Sequence, residues 1–189
     1  RRFKFLVEAV VALPIILPPT VLGFYVLMAI GPHSPLGEAY EAVTGARLPF
    51  SFQGLLLASV LYSLPFAVQP FAAALATVDR RLIEASWCLG VGRLATFFRV
   101  TLPLAWPGVL TGIVLSFAHT IGEFGVVLMI GGNLPGVTRT ISISIYDQVQ
   151  AIDYASANRT SLLMLVFSFV VLTITYALQK RPVQVWMTH

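Results

Sequence analysis

Two sets of residues have types and spacings that could do chemistry. The first lies in the apolar stretch from Leu104 to about Ile130, where Gly112, Ser116, His119 and Glu123 recur at steps of four, three and four and so fall on one helical face. A polar, small-residue stripe on an otherwise apolar helix faces a bundle or a pore, because lipid penalises it. Glu123 is the acidic residue deep in that stretch, with His119 one turn away. As a proton relay or cation site the pair would belong to ion-coupled transport; as a hydrogen-bonding group Glu123 would hold helices together. One isolated carboxylate is thin support for a relay, and the structural role is preferred.

The second set lies in a polar stretch, Asp79 to Pro103, that separates two apolar runs: DRRLIEASWCLGVGRLATFFRVTLP. Glu84, Ala85 and Ser86 sit among good helix formers. Gly90 and Gly92 offer the backbone freedom of a sharp turn, Leu94 to Val100 resumes helical spacing, and Leu102-Pro103 opens the next run. The expected order is helix, turn, helix, membrane.

The elements that must position these residues are spanning helices. Of the 189 residues 57% are hydrophobic and 11% charged, with a mean hydropathy of +0.85; so few charges do not cover a soluble domain of this size. The net charge of +4 forms no basic stripe interleaved with aromatics, which argues against nucleic acid. A single cysteine, Cys88, excludes an internal disulfide framework and a multi-cysteine metal site; it is expected to pack beside the Gly90 turn, with no redox role. His33, His119 and His189 are too dispersed for a zinc motif, and no metal site or bound cofactor is expected. No GxxxxGK[ST] loop occurs, so ATP, if it drives the protein, binds to another subunit.

Four spans are expected. The first, about Ala9 to Ile30, follows the basic cluster Arg1-Arg2-Phe3-Lys4 and is interrupted by Pro14, Pro18 and Pro19. Broken helices of this kind line transport paths or serve as kinked packing helices, and both uses are open here. Gly31 to Gln53 reads as an extramembrane loop. The second span, Leu55 to about Val78, carries Pro65 and Pro70 as further interruptions. Leu104 to about Ile130 is the third. Gly131 to Asn158 leaves the membrane, and its Ile141 to Val149 stretch, ambiguous in period, is expected to be a short interfacial helix. The last span runs from about Thr160 to Leu178 and ends at Lys180-Arg181-Pro182. In this arrangement Arg1, Arg2, Lys4, Arg80, Arg81, Arg93, Arg99, Lys180 and Arg181 share one side, against Arg47, Arg139 and Arg159 on the other. Nine against three places the Asp79 to Pro103 loop in the cytoplasm.

That loop resembles the EAA loop of binding-protein-dependent ABC importer permeases: EAA, three residues, Gly, nine residues, Ile-x-Leu-Pro. Glu84, Ala85, Ser86, Gly90, Val100, Leu102 and Pro103 fall on those spacings, with Ser86 for Ala and Val100 for Ile as departures. The resemblance continues in LPPTVLGFY at Leu17 to Tyr25, SLPFAVQPF at Ser63 to Phe71 and GEFGVVLMIGGNLPGVTRTISISIYDQV at Gly122 to Val149, which look like the molybdate permease subfamily; sulfate and thiosulfate permeases are similar around Gly122 to Gly125 and Gly132-Asn133.

The resemblance implies an all-α, polytopic bundle of the type I importer kind, a single permease domain over residues 1–189 with residues 79–103 as its coupling loop, and a further spanning helix before Arg1. It implies a homodimer in the inner membrane of a prokaryote, a pair of cytoplasmic ATPase subunits holding ATP and Mg, and an external binding protein that delivers molybdate or tungstate. Glu84, Ala85, Ser86, Gly90, Gly92, Arg93, Leu102 and Pro103 are then the coupling residues; Pro18, Pro19, Pro65, Ser116, His119 and Glu123 are candidates for the path or gate. Within a dianion path Glu123 would repel cargo unless neutral, paired or turned away. The alternatives are a sulfate or thiosulfate permease, an ion-coupled secondary transporter and a noncatalytic membrane scaffold.

Overall fold

The structure is a computed structural model, and it describes residues 3–179; the basic ends Arg1-Arg2 and Lys180-Arg181-Pro182, with His189, lie outside the described residues. Among these residues there are helices and no strand. By length and composition three helices can cross a membrane, or four if a sharply bent pair is one span.

The bent pair is α1 (Lys4–Ile16) and α2 (Pro19–Ile30), which meet at 117°. Consecutive prolines force the turn: a residue before proline is driven out of helical conformation, and Leu17 (ψ 137°) and Pro18 (ψ 135°) are both extended. Pro14, by contrast, is accommodated inside α1. The loop that follows contains a helix the apolar pattern does not announce, α3 (Pro35–Thr44), capped by Ser34 and stopped by Gly45 in left-handed conformation. α4 (Phe52–Ala76) is continuous, which corrects the expectation of a span interrupted at Pro65 and Pro70. An isolated proline removes one backbone donor, and here the surrounding turns carry the helix past it.

After α4 come α5 (Arg80–Cys88), α6 (Arg93–Thr96), a π-helical turn (Phe97–Thr101) and α7 (Leu102–Gly122), the last three forming a continuous helical rod. The third span is not one helix to Ile130. It stops at Gly122, and α8 (Gly125–Gly131) starts afresh after Glu123 and Phe124. α9 (Ile141–Gln150) is a helix, as preferred from the sequence, begun by the Thr140 side chain accepting from the Ile143 N–H. α10 (Tyr154–Gln179) is the final long helix.

The chain divides into two compact units. One comprises, among the described residues, 3–65 and 117–165. Its core is Val26, Ile30, Leu48, Ala58, Val126 and Ile130, built on α2 lying against α8. A Cβ on Gly23 would stand 2.8 Å from the Met129 Cβ, and one on Gly125 would stand 2.7 Å from the Pro19 Cβ, so the two helices approach as closely as glycine allows. At one end of α2 the same local device is used twice. Ser34 Oγ donates to the Gly31 carbonyl (2.8 Å) and accepts from Gly37 N–H (2.9 Å); Ser51 Oγ donates to the Leu48 carbonyl (2.7 Å) and accepts from Gly54 N–H (3.1 Å). Between these turns lies an apolar cavity of about 340 Å³ lined by Leu27, Met28, Pro32, His33, Pro49 and Phe50.

The other unit comprises, among the described residues, 66–116 and 166–179. In it Gly108 sits against Ala74 and Gly112 against the Phe71 ring, where an added Cβ would stand 2.6 Å from Cε1. The polar stretch from Asp79 to Pro103 belongs wholly to this unit.

Candidate functional site

In the second unit the polar stretch folds as a helical hairpin. Asp79 begins α5 by accepting from the Arg81 N–H at 2.9 Å, and Arg80 approaches Glu84 at 3.5 Å one turn on. Both side chains are exposed, so this ion pair contributes only about 0.2–0.5 kcal/mol. Gly90 closes the helix with φ +79°, a conformation that L side chains adopt rarely. Gly92 does something different: its φ of −66° and ψ of 156° are open to any residue, and it serves as the N-cap of α6.

Of the residues expected to act in coupling, Glu84, Ala85, Ser86, Gly90, Gly92 and Arg93 are brought together in this hairpin, while Leu102 and Pro103 begin α7 beyond the π-turn. Glu84 and Ala85 are exposed; Ser86 is buried. Arg93 lies over the Trp87 ring at 5.7 Å, a cation–π pair bridging the two arms. Leu82, Trp87, Leu89 and Leu94 are also exposed, Leu89 to 84%. Exposed apolar side chains on a polar hairpin are available to a protein partner. Sequence reasoning singled out none of these four, although their alternation with Arg80, Arg81, Glu84 and Arg93 is a readable signal. Cys88 does not pack beside the turn as expected; it is exposed.

The polar residues of the long helices divide between the two units. Ser116 belongs to the second; Pro18, Pro19, Pro65, His119 and Glu123 belong to the first. Pro19 is the first residue of α2 and lies beside Gly125, so the break after α1 and the break after α7 meet. Pro65 is fully buried in α4. Glu123 is 4% exposed and stands in the α7–α8 break rather than on the helical face that periodicity gave it. Neither Glu123 carboxylate oxygen has a hydrogen-bond partner in the structure. The His119 ring packs against Tyr62, with ring centres 4.8 Å apart and planes inclined at 47°. Ser63 and Thr120 pair their hydroxyls at 2.7 Å. Tyr62 and Ser63 come from α4, and nothing in the local sequence of α7 points to them.

Beyond the break, the segment after α8 is tied down by polar bonds. Asn133, at φ +56°, donates from Nδ2 to both Asp147 oxygens (3.1 and 2.9 Å) and accepts from Arg139 Nε (2.8 Å), while Ser142 Oγ donates to the Ile121 carbonyl (3.0 Å) and ties α9 to the end of α7. Among the described residues no cluster of three or more histidine, cysteine or acidic side chains could hold a metal ion.

This arrangement has close counterparts. The molybdenum transport system permease protein ModB of Azotobacter vinelandii is 50% identical over 179 residues, 95% of this chain and 79% of the relative. The Escherichia coli K12 protein of the same description is 40% identical over 147 residues, 78% of this chain and 64% of the relative. A probable sulfate transport system permease protein, cysT of Chlorella vulgaris, is 33% identical over 182 residues, 94% of this chain and 68% of the relative. In fold, the chain is similar to a crystal structure of a bacterial ABC transporter involved in the import of the acidic polysaccharide alginate, with a TM-score of 0.74 over 97% of this chain and 68% of that one, at 18% identity. Residues 1–184 match the family described as binding-protein-dependent transport system inner membrane component. With that match and relatives at this identity, the chain belongs to the family of inner membrane components of binding-protein-dependent transport systems, a transport subunit rather than an enzyme.

Proposed function

We propose that the chain is the membrane-spanning permease subunit of an ATP-driven importer of molybdate, with tungstate as a second cargo. The observation that carries the cargo is the 50% identity to a molybdenum permease over 95% of the chain, against 33% for a sulfate permease. The hairpin supports the coupling mechanism. Glu84 and the exposed apolar side chains of α5 and α6 dock on a cytoplasmic ATPase that holds ATP and Mg, a second permease copy completes the pathway, and an external binding protein delivers the oxyanion. Closure of the ATPase pair moves the hairpins and turns the spans from inward- to outward-facing. A complete swing between two such states takes about 5.5 kcal/mol of differential binding, and ATP bound across two subunits supplies it through the docked hairpins. The apolar runs carry no series of Lys or Arg that would form a basic ring, so cargo selectivity falls to the binding protein, and weak sites in the permease let the anion leave.

The full transporter in proteoliposomes tests this. Uptake of radiolabelled molybdate is expected to require ATP, to resist excess sulfate, and to be lost together with ATPase copurification in Glu84→Ala. Uptake driven by a proton or sodium gradient without the ATPase would make the chain an ion-coupled transporter, and Glu123 would then be its first candidate site.

A further inference from the structure

The hairpin holds a pair of hydroxyls that family membership does not explain. Ser86 on α5 and Thr96 on α6 are 8% and 1% exposed, and their side-chain oxygens lie 2.9 Å apart. The same residues anchor the turn through the backbone: the Ser86 carbonyl accepts from Val91 N–H (3.1 Å) and Thr96 N–H donates to the Gly92 carbonyl (2.9 Å). A buried hydroxyl deprived of its partner is penalised, so the pair holds the two arms at a fixed spacing. The turn itself is held by the Gly90 N–H donating to the Trp87 carbonyl (2.9 Å), by Thr96 Oγ1 donating to the Val91 carbonyl (3.5 Å) and by the exposed Arg93–Trp87 contact, while a Cβ on Gly90 or on Gly92 would meet nothing within 4 Å; the Ser86–Thr96 pair is the buried side-chain link between the arms.

Immediately after Thr96 the chain enters the π-turn Phe97–Thr101 and then α7. π-turns inside helices frequently mark functional positions. We propose that Thr96, acting through Ser86, is a positioning residue that makes α5 and α6 move as one piece, so that a displacement of α5 reaches the start of α7 through the π-turn instead of being absorbed at Gly90. The inference rests on the coupling role proposed for the hairpin and names the residues that transmit it.

The test measures molybdate imported per ATP hydrolysed by the assembled transporter in proteoliposomes, for wild type, Thr96→Val, Thr96→Ser and Ser86→Ala/Thr96→Val. In Thr96→Val the ATPase still copurifies and the ratio falls several-fold, because α5 and α6 lose the buried contact that makes them move together. Thr96→Ser restores the ratio, and the double variant is no worse than Thr96→Val. A Thr96→Val ratio equal to wild type, with uptake and hydrolysis unchanged or falling together, overturns the inference, as does failure of Thr96→Ser to restore it. A second measurement does not depend on the valine variant folding. In a Cys88→Ser background, Ser86→Cys/Thr96→Cys is oxidised to a cross-link that keeps the arms together; transport continues with the cross-link intact if the pair moves as one piece, and stops if the arms must separate. Wild-type uptake that needs no ATP overturns the coupling reading and this inference together, whereas the outcomes above bear on the pair alone.

Discussion

Gly90 and Gly92 look equivalent in the sequence, but only one needs to be glycine. Gly90 at φ +79° would force an alanine into the left-handed region at about 1–2 kcal/mol. Gly92, with negative φ and open space around it, takes alanine without strain. ATPase copurification and proteolytic resistance of the hairpin should therefore fall in Gly90→Ala and fall less in Gly92→Ala, which loses only the N-cap preference of glycine over alanine. A pH-dependent feature of the same local kind sits before α10. Ser156, through its hydroxyl and through its backbone N–H at 3.1 Å, holds the Asp153 carboxylate below its ordinary range, and the positive charge of Arg159 adds to this. A carboxyl depressed in the folded state stabilises the helix start fully above the unfolded aspartate value of about 3.9, and the contribution is lost as pH falls through that value towards the folded one. Hydrogen-exchange protection of Ser156 and Ala157, corrected for intrinsic rate, should drop across that acidic window in wild type. In Asp153→Asn, whose amide caps without titrating, it should not.

At the scale of elements, the seam between α2 and α8 has the least room. Gly23→Ala drives a Cβ into the Met129 Cβ, and Gly125→Ala into Pro19. Overpacking of this kind costs about 1–3 kcal/mol. Each variant should lower the thermal midpoint of the detergent-solubilised protein, while Gly122→Ala, which meets nothing within 4 Å, should not. What the sequence made legible follows from how local each cause is. The stop at Pro18-Pro19 could be read because two adjacent prolines break a helix by their own geometry. Pro65 and Pro70 misled because isolated prolines do not. The α7–α8 break was hidden by unbroken hydropathy on both sides of Glu123. The signals for α3 were present in Ser34-Pro35 and Gly45, but they sit in a polar stretch where no apolar periodicity draws attention to them. For the hairpin, the resemblance to the EAA loop singled out Glu84, Ser86 and Gly90. The Ser86–Thr96 pair spans the turn and answers to no helical repeat, so it needed the fold.

For the whole molecule, orientation is the property on which the proposed division of labour depends, and it rests on charge. Arg80, Arg81, Arg93 and Arg99 lie in or beside the hairpin, while Arg47, Arg139 and Arg159 lie in the segments expected on the opposite side. Basic residues are retained on the cytoplasmic side during insertion, so the hairpin should face the cytoplasm. The chain carries its own reporter for this, because its single cysteine, Cys88, is exposed at the end of α5. A membrane-impermeant maleimide applied to the permease without its ATPase should label Cys88 in inside-out vesicles and leave it unlabelled in sealed right-side-out ones. Adding the ATPase should slow the labelling, because Cys88 lies between Trp87 and Leu89 on the surface proposed to dock. The reverse vesicle pattern would place the hairpin outside, where no ATPase could reach it, and would sink the coupling role whatever the cargo. Correct sidedness without protection would keep the topology and move the docking surface elsewhere on the hairpin.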